Sequence, residues 1–220
     1  MTDVHVILAP GLSGELSLPD HPHGLVLLIG DGEGHRERAR LRAISGYLRR
    51  RDFATLRLAP AGHDGTSASD VAHADDAPAD DTVVAPLAHR VLTALGGLRG
   101  QPALAGLPVG LHGIGVGAAA AVVVAAERPD AVRAVVAQSG RIDLALPSLS
   151  SLKAPLLLIV GGYDTPMFEL ARDAVRTPGV TARVEVIARA TQLFEEAGAL
   201  ERVALAAGDW FASQLGRPPA

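Results

Sequence analysis

The sequence predicts an α/β fold in which a mostly parallel central sheet carries helices on both faces. Short apolar runs typical of buried strands alternate with helical periodicities along almost the whole chain. The connections between them are short, which favours right-handed crossovers between parallel strands. Residues 24–30 are apolar almost throughout, as in a strand buried on both faces. In sheets of this kind the ligand site lies at the carboxyl ends of the strands.

Composition limits the classes of function. A chain of 220 residues is long enough for one domain over 1–220. Its net charge of −4 gives no case for nucleic-acid binding, which favours a basic chain. It contains no cysteine, which excludes disulfides and thiolate chemistry. No signal peptide and no apolar run of about 20 residues is present, so no membrane partner is expected. We therefore expect a cytoplasmic protein without cofactor or metal, and the sequence leaves a homo-oligomer open.

The first elements follow from the spacing of apolar residues. Residues 4–8 and 14–18 predict an N-terminal antiparallel hairpin across a glycine turn. Residues 24–30 form the first buried strand, and residues 35–51 show the spacing of an amphipathic helix with a basic outer face. Residues 53–58 predict the next strand.

Residues 61–81 differ from the rest of the chain. This segment is rich in aspartate, alanine, glycine and serine and has almost no large apolar residue. It predicts an exposed acidic loop. The remaining elements are a helix at 82–98, strands at 107–111, 132–137, 156–160 and 183–187, and helices at 118–127, 166–176 and 200–215.

A glycine motif lies between the strand at 107–111 and the helix that follows it. Strand, tight glycine turn and helix is the layout of the nucleophile elbow, G-x-S-x-G. Its outer glycines are present as Gly113 and Gly117. Its middle position, where the nucleophile belongs, is Gly115.

Four stretches carry a resemblance to a known family: residues 106–117, 128–136, 154–164 and 190–196. Together they resemble the dienelactone-hydrolase-like group of α/β-hydrolases, over nearly the whole chain after residue 24. That family orders its triad as nucleophile, acid and histidine. The resemblance places these three functions at Gly115, Asp164 and Gln192 and implies that only the acid is retained.

The two replacements remove the chemistry of the triad. Glycine has no attacking oxygen, and Gln192 cannot shuttle a proton near neutral pH. We therefore expect a protein that has lost hydrolase chemistry and acts as a small-molecule binding or accessory protein, its ligand held at the carboxyl edge of the sheet. The amide groups at Val116 and at the Gly30-Asp31 loop would supply the residual oxyanion donors.

Three further residues are assigned to the pocket, each with a purely structural alternative. His35 is either a general base or a solvated helix-end residue. His112 either reaches the cleft or is buried and satisfied by backbone. Ser139 either faces the cleft or caps the turn at Gly140.

Two other functions remain open. One is a repurposed enzyme on the same fold, such as a lyase, isomerase or cyclase, which would use Asp164, His35 and the residual oxyanion donors. The other is a structural partner subunit in which the cleft has no role.

Overall fold

An eight-stranded sheet organises the structure, a computed structural model that describes residues 3–30, 35–59, 81–98 and 100–216, with the backbone alone for 81 and 82. The strands are β1 Asp3–Ala9, β2 Leu12–Ser17, β3 Gly24–Ile29, β4 Phe53–Leu58, β5 Val109–Ile114, β6 Val132–Gln138, β7 Leu156–Gly161 and β8 Ala182–Ile187. The helices are α1 His35–Arg49, α2 Asp81–Leu98, α3 Val116–Glu127, α4 Leu146–Leu149, α5 Thr165–Val175 and α6 Ala199–Leu215.

The sheet is mixed, with the strand order β1-β2-β4-β3-β5-β6-β7-β8. Strand β2 runs antiparallel to both of its neighbours, β1 and β4. Every other adjacent pair is parallel. The predicted mostly parallel sheet with an N-terminal antiparallel hairpin is therefore confirmed.

Two helical layers enclose the sheet. Helices α1 and α6 cover one face through an apolar stripe that includes Leu48, Val203 and Phe211. Helices α2, α3 and α5 cover the other face, where α3 contributes a run of fully buried alanines. These small side chains allow α3 to lie close against β5, which brings the start of the helix directly under the carboxyl end of that strand.

The structure corrects the predicted boundaries around the glycine motif. Strand β5 continues to Ile114, three residues beyond the predicted end, and α3 begins at Val116. The turn between them is Gly115 alone, because one residue with positive φ reverses the chain there. The expected acidic loop at 61–81 lies outside the described residues, except for Asp81, which begins α2. None of the helices in the described ranges has both the length and the apolar character needed to cross a membrane.

Candidate functional site

The turn at Gly115 has the backbone of a nucleophile elbow. Its φ of 57° and ψ of −122° place it where residues with a side chain are strained and glycine is not. Its N–H donates to the Gln138 carbonyl at 3.2 Å, and its own carbonyl accepts from the N–H of Arg141 at 3.1 Å. The position that the sequence assigns to the nucleophile therefore has the expected geometry and no attacking group.

The outer glycines of the motif are required by close backbone packing. A Cβ atom at Gly113 would lie 2.3 Å from the Gly117 carbonyl oxygen. One at Gly117 would lie 2.4 Å from the carbonyl oxygen of Ile29, at the end of β3. The two glycines thus let strand, turn and helix pack together, and they bring the elbow beside the end of the neighbouring strand.

Asp164, at the position of the triad acid, caps a helix. It precedes α5, and its Oδ1 accepts a hydrogen bond from the Met167 N–H at 3.4 Å. Its Oδ2 is buried and has no hydrogen-bond partner among the described residues. Burial raises the pKa of the Asp164 carboxyl, and the Met167 N–H offsets part of that rise. The carboxyl therefore has a structural role through one oxygen, while the other is unsatisfied.

Gln192, at the histidine position, does not replace the histidine in a hydrogen-bond chain. Its side chain is exposed, and within the described ranges no hydrogen bond joins it to Asp164. Its backbone carbonyl accepts from the Ser139 hydroxyl at 3.1 Å. The loop that carried the histidine in the family pattern is thus fastened to the end of β6 by its backbone.

Ser139 is buried and does not face an open cleft. It has a positive φ of 42° at the end of β6, and its hydroxyl is directed at the Gln192 carbonyl. The prediction that Ser139 caps the turn at Gly140 is wrong, because its hydroxyl donates to the loop that contains Gln192. A hydroxyl held in this way is not arranged as a substitute nucleophile.

His112 lies in the core and not in a ligand pocket. Its side chain is completely buried under α6, with its ring centroid 6.5 Å from that of Phe211. Its Nε2 pairs with the Gln138 side chain at 3.0 Å, so the predicted burial is observed with a side-chain partner in place of backbone. Burial lowers the pKa of His112 to about 4, which keeps the ring neutral. The assignment of His112 to the pocket is therefore corrected.

The predicted oxyanion side of the site contains an acid, Glu37, that the sequence did not predict there. Gly30 follows β3, and a Cβ atom there would lie 1.7 Å from Oε1 of Glu37. Glu37 is buried in the first turn of α1, on the same face as Leu41. That spacing of four residues is the signal that could have revealed it. The carboxylate of Glu37 therefore lies beside Gly30, at the position predicted for an oxyanion donor.

The other predicted pocket residues are placed only in part. His35 is exposed at the start of α1, and Val116 is buried at the start of α3. Asp31 lies outside the described residues. These assignments stay predictions, because no contact of His35 or of the Gly30-Asp31 loop with Gly115 is described.

A charged pair lies next to the elbow. Arg141 donates from Nε to Asp143 Oδ1 at 2.9 Å and from Nη2 to Oδ2 at 2.7 Å. These bonds hold the pKa of Asp143 below its usual value. The backbone N–H of Arg141 also donates to the Gly115 carbonyl, so this pair is anchored next to the turn.

Two cavities are described, and neither lies at the elbow. One of about 530 Å³ lies between α1 and the β1–β2 hairpin, and one of about 470 Å³ lies between α2, α3 and the segment after β6. Gly115, Asp164 and Gln192 line neither of them. The small-molecule cleft expected at the elbow therefore stays a prediction.

Comparisons with known sequences show similarity to longer proteins. No protein-family model matches the chain. Proteins from two strains of Mycobacterium tuberculosis, each named "Putative phosphoribosyl transferase", are 37% identical to it over 219 residues. The match covers 98% of this chain and 47% of each of those proteins, so the chain spans about half of their length.

Comparisons with solved structures cover the whole fold. A dienelactone hydrolase from Anabaena variabilis is 34% identical, with a TM-score of 0.80 and coverage of 97% of each chain. Est1E from Butyrivibrio proteoclasticus has the same fold at 15% identity, with a TM-score of 0.73 and coverage of 97% of this chain and 98% of that one. Because the first match extends over nearly the full length of both chains at this identity, the chain belongs to the dienelactone hydrolase family of the α/β-hydrolase superfamily.

Proposed function

We propose that this chain is a non-hydrolytic member of its family that acts as a small-molecule binding or accessory protein. The observation that carries the proposal is Gly115, which has the backbone of the nucleophile elbow and no side chain. Acyl transfer on this fold begins with attack by a side-chain oxygen or sulfur at the elbow. Without such an atom, at best the residual effect of the oxyanion donors and of binding is left.

The position of Gln192 supports the same conclusion independently. A hydrolase needs a base that takes a proton from the nucleophile and is oriented by the acid. Here the side chain at 192 is exposed and its backbone bonds Ser139, while Asp164 caps α5. The groups at the acid and histidine positions therefore serve separate structural purposes.

The longer relatives support an accessory role. The region similar to this chain makes up 47% of proteins that are named for phosphoribosyl transfer. More than half of each relative is thus available for another function, and we assign the named transferase activity to that remainder. On this proposal the present chain works beside such an activity and does not itself transfer a phosphoribosyl group.

One observation favours a repurposed enzyme as the second candidate. Asp164 combines a raised pKa with a buried oxygen that lacks a partner in the described part of the chain. Such a carboxyl is suited to general acid–base work. A lyase, isomerase or cyclase could use it without a covalent nucleophile.

Hydrolysis of a panel of aryl esters and lactones tests the proposal. We expect turnover by the wild-type protein to equal that of the Gly115→Ala variant and the uncatalysed background. The matched gain-of-function control is the Gly115→Ser/Gln192→His double variant, which rebuilds the missing pair. Wild-type turnover above background that Asp164→Ala abolishes would contradict the proposal.

A further inference from the structure

A cavity lined mostly by polar and charged residues lies away from the elbow, between α1 and the β1–β2 hairpin. Its volume is about 530 Å³. Strand β2 is three strands from β5 in the sheet, which corresponds to about 14 Å at the usual strand spacing. The cavity is therefore a separate place in the molecule, and a role for it does not depend on the function proposed for the elbow.

The floor of the cavity is built by strand register. Glu15 on β2 lies opposite His5 on β1 and Arg57 on β4. One pleat along, Asp3 lies opposite Ser17. Residues two apart along a strand share a face, so these side chains form one polar surface. An arginine directly across from a glutamate is a favourable cross-strand pair, and Arg57 and Glu15 are hydrogen-bonded.

Helix α1 forms the wall above this floor. Arg42, Ser45 and Arg49 are spaced three and four residues apart and therefore share one side of the helix. The Ser45 hydroxyl is 2.6 Å from that of Thr55 and fixes the helix to β4. Arg49 Nη1 lies 3.5 Å from Asp3 Oδ1. Wall and floor are thus joined at two points with the cavity between them.

The cavity has an excess of positive charge in an acidic chain. Its lining contains three arginines against two acids, Asp3 and Glu15, although the chain as a whole carries −4. Each acid pairs with one arginine, Asp3 with Arg49 and Glu15 with Arg57. Within the described ranges Arg42 makes no ion pair or hydrogen bond, so its guanidinium is available.

Two donors in this region are buried without an acceptor. The Nε atoms of Arg49 and Arg57 are inaccessible to solvent and have no hydrogen-bond partner among the described residues. Buried polar groups in native proteins are almost always hydrogen-bonded, so such a pair calls for an explanation. Because these Nε atoms are closed to solvent, a ligand in the cavity would bind the same guanidinium groups through their terminal nitrogens.

We propose that this cavity binds a small hydroxylated oxyanion, a carboxylate or a phosphate. Guanidinium groups match the oxygens of both anions and bind them through paired hydrogen bonds. Arg42 and Arg49 hold the anionic group from the wall. The carboxylates of Asp3 and Glu15 disfavour a bare anion and accept hydrogen bonds from hydroxyl groups of the ligand, which selects a hydroxylated molecule.

The arginine Nε–H signals in NMR spectra of the full chain test this assignment. The probes are glycerol 3-phosphate and glycerate, with glycerol as the uncharged control. We expect saturable shifts of the Arg49 and Arg57 signals with at least one anion and none with glycerol. The anion that saturates at the lower concentration distinguishes phosphate from carboxylate.

A matched pair of variants completes the test. Arg42→Ala removes the unpaired guanidinium from the exposed side of α1, and Arg38→Ala removes another exposed arginine of the same helix that does not line the cavity. We expect the first to weaken anion binding at least about tenfold and the second to leave it unchanged. No saturation below about 10 mM, an equal response to glycerol, or no difference between the two variants would overturn the proposal.

Discussion

Gly115 has the backbone conformation of the elbow but no side-chain atom that could act as the nucleophile. Glycine adopts this positive φ without strain. Both the N–H and the carbonyl of Gly115 are hydrogen-bonded. In a working hydrolase a serine at this place stores strain as part of its reactivity. The glycine therefore relieves that strain, and it offers no side-chain atom that could act as a nucleophile.

Replacing this glycine by serine should destabilise the protein. A side chain at φ 57° and ψ −122° costs about 1–3 kcal/mol, which lowers the melting temperature by several degrees in a chain of this size. Gly96→Ser in α2 is the matched control, because a Cβ atom there meets nothing within 4 Å. If the melting temperature of Gly115→Ser equals or exceeds that of the wild type, a side chain at this turn causes no strain.

Individual site residues differ in how far the sequence could predict them. Gly115 and Gln192 were assigned from motif positions along the sequence, which needs no knowledge of contacts in space. The contact of Glu37 with Gly30 and the bond from Ser139 to the 192 carbonyl depend on how separate loops meet in space. Local sequence has no information on such contacts, because each joins segments that only the folded sheet brings together.

Periodicity predicts most strands and helices, and the largest error at a strand end is that of β5. The strands at 53–58 and 183–187 and the helix at 200–215 agree with β4, β8 and α6 to within one residue. The end of β5 was placed too early, because glycines normally mark turns. In this case Gly113 lies within the strand, where its missing side chain admits the backbone of α3.

The packing of β5 and β6 against α6 contains a buried polar pair, His112 and Gln138. A lowered pKa in the folded state means that the unfolded chain binds a proton first as the pH falls. The contribution of His112 to stability is therefore full above about pH 6.5. It declines towards pH 4, where the ring also becomes protonated in the folded state. The groups described against the ring, Gln138 and Phe211, do not titrate, so no neighbouring charge opposes this loss.

Removing this histidine should flatten that part of the pH profile. Between pH 6.5 and 4 the wild-type protein should lose up to about 3 kcal/mol of unfolding free energy through His112. The His112→Asn variant should lack this pH-dependent loss of stability. His89→Asn, at an exposed position, is the control and should show the same loss as the wild type. Urea unfolding at several pH values measures the difference. Identical pH slopes in the wild type and His112→Asn would contradict the assignment.

At the scale of the whole molecule, the two ends of the sheet have different properties. At the carboxyl edge of the parallel strands, Asp164 caps α5 and the loop at 192 accepts the Ser139 hydroxyl through its backbone. The antiparallel end, formed by β1, β2 and β4, carries the arginine-lined cavity. The fold class was predictable from the alternation of elements, whereas this cavity was not, since its floor depends on the register between three strands.

The central claim is that no side chain of this protein acts as an acyl nucleophile. Intact-mass measurement after incubation with a fluorophosphonate, which reacts with activated serine hydroxyls, tests it most directly. A serine esterase in the same tube serves as the positive control. We expect the esterase to gain one adduct and the mass of the wild-type chain to stay unchanged. A single adduct on the wild-type chain, at Ser139 or at any other serine, would contradict it.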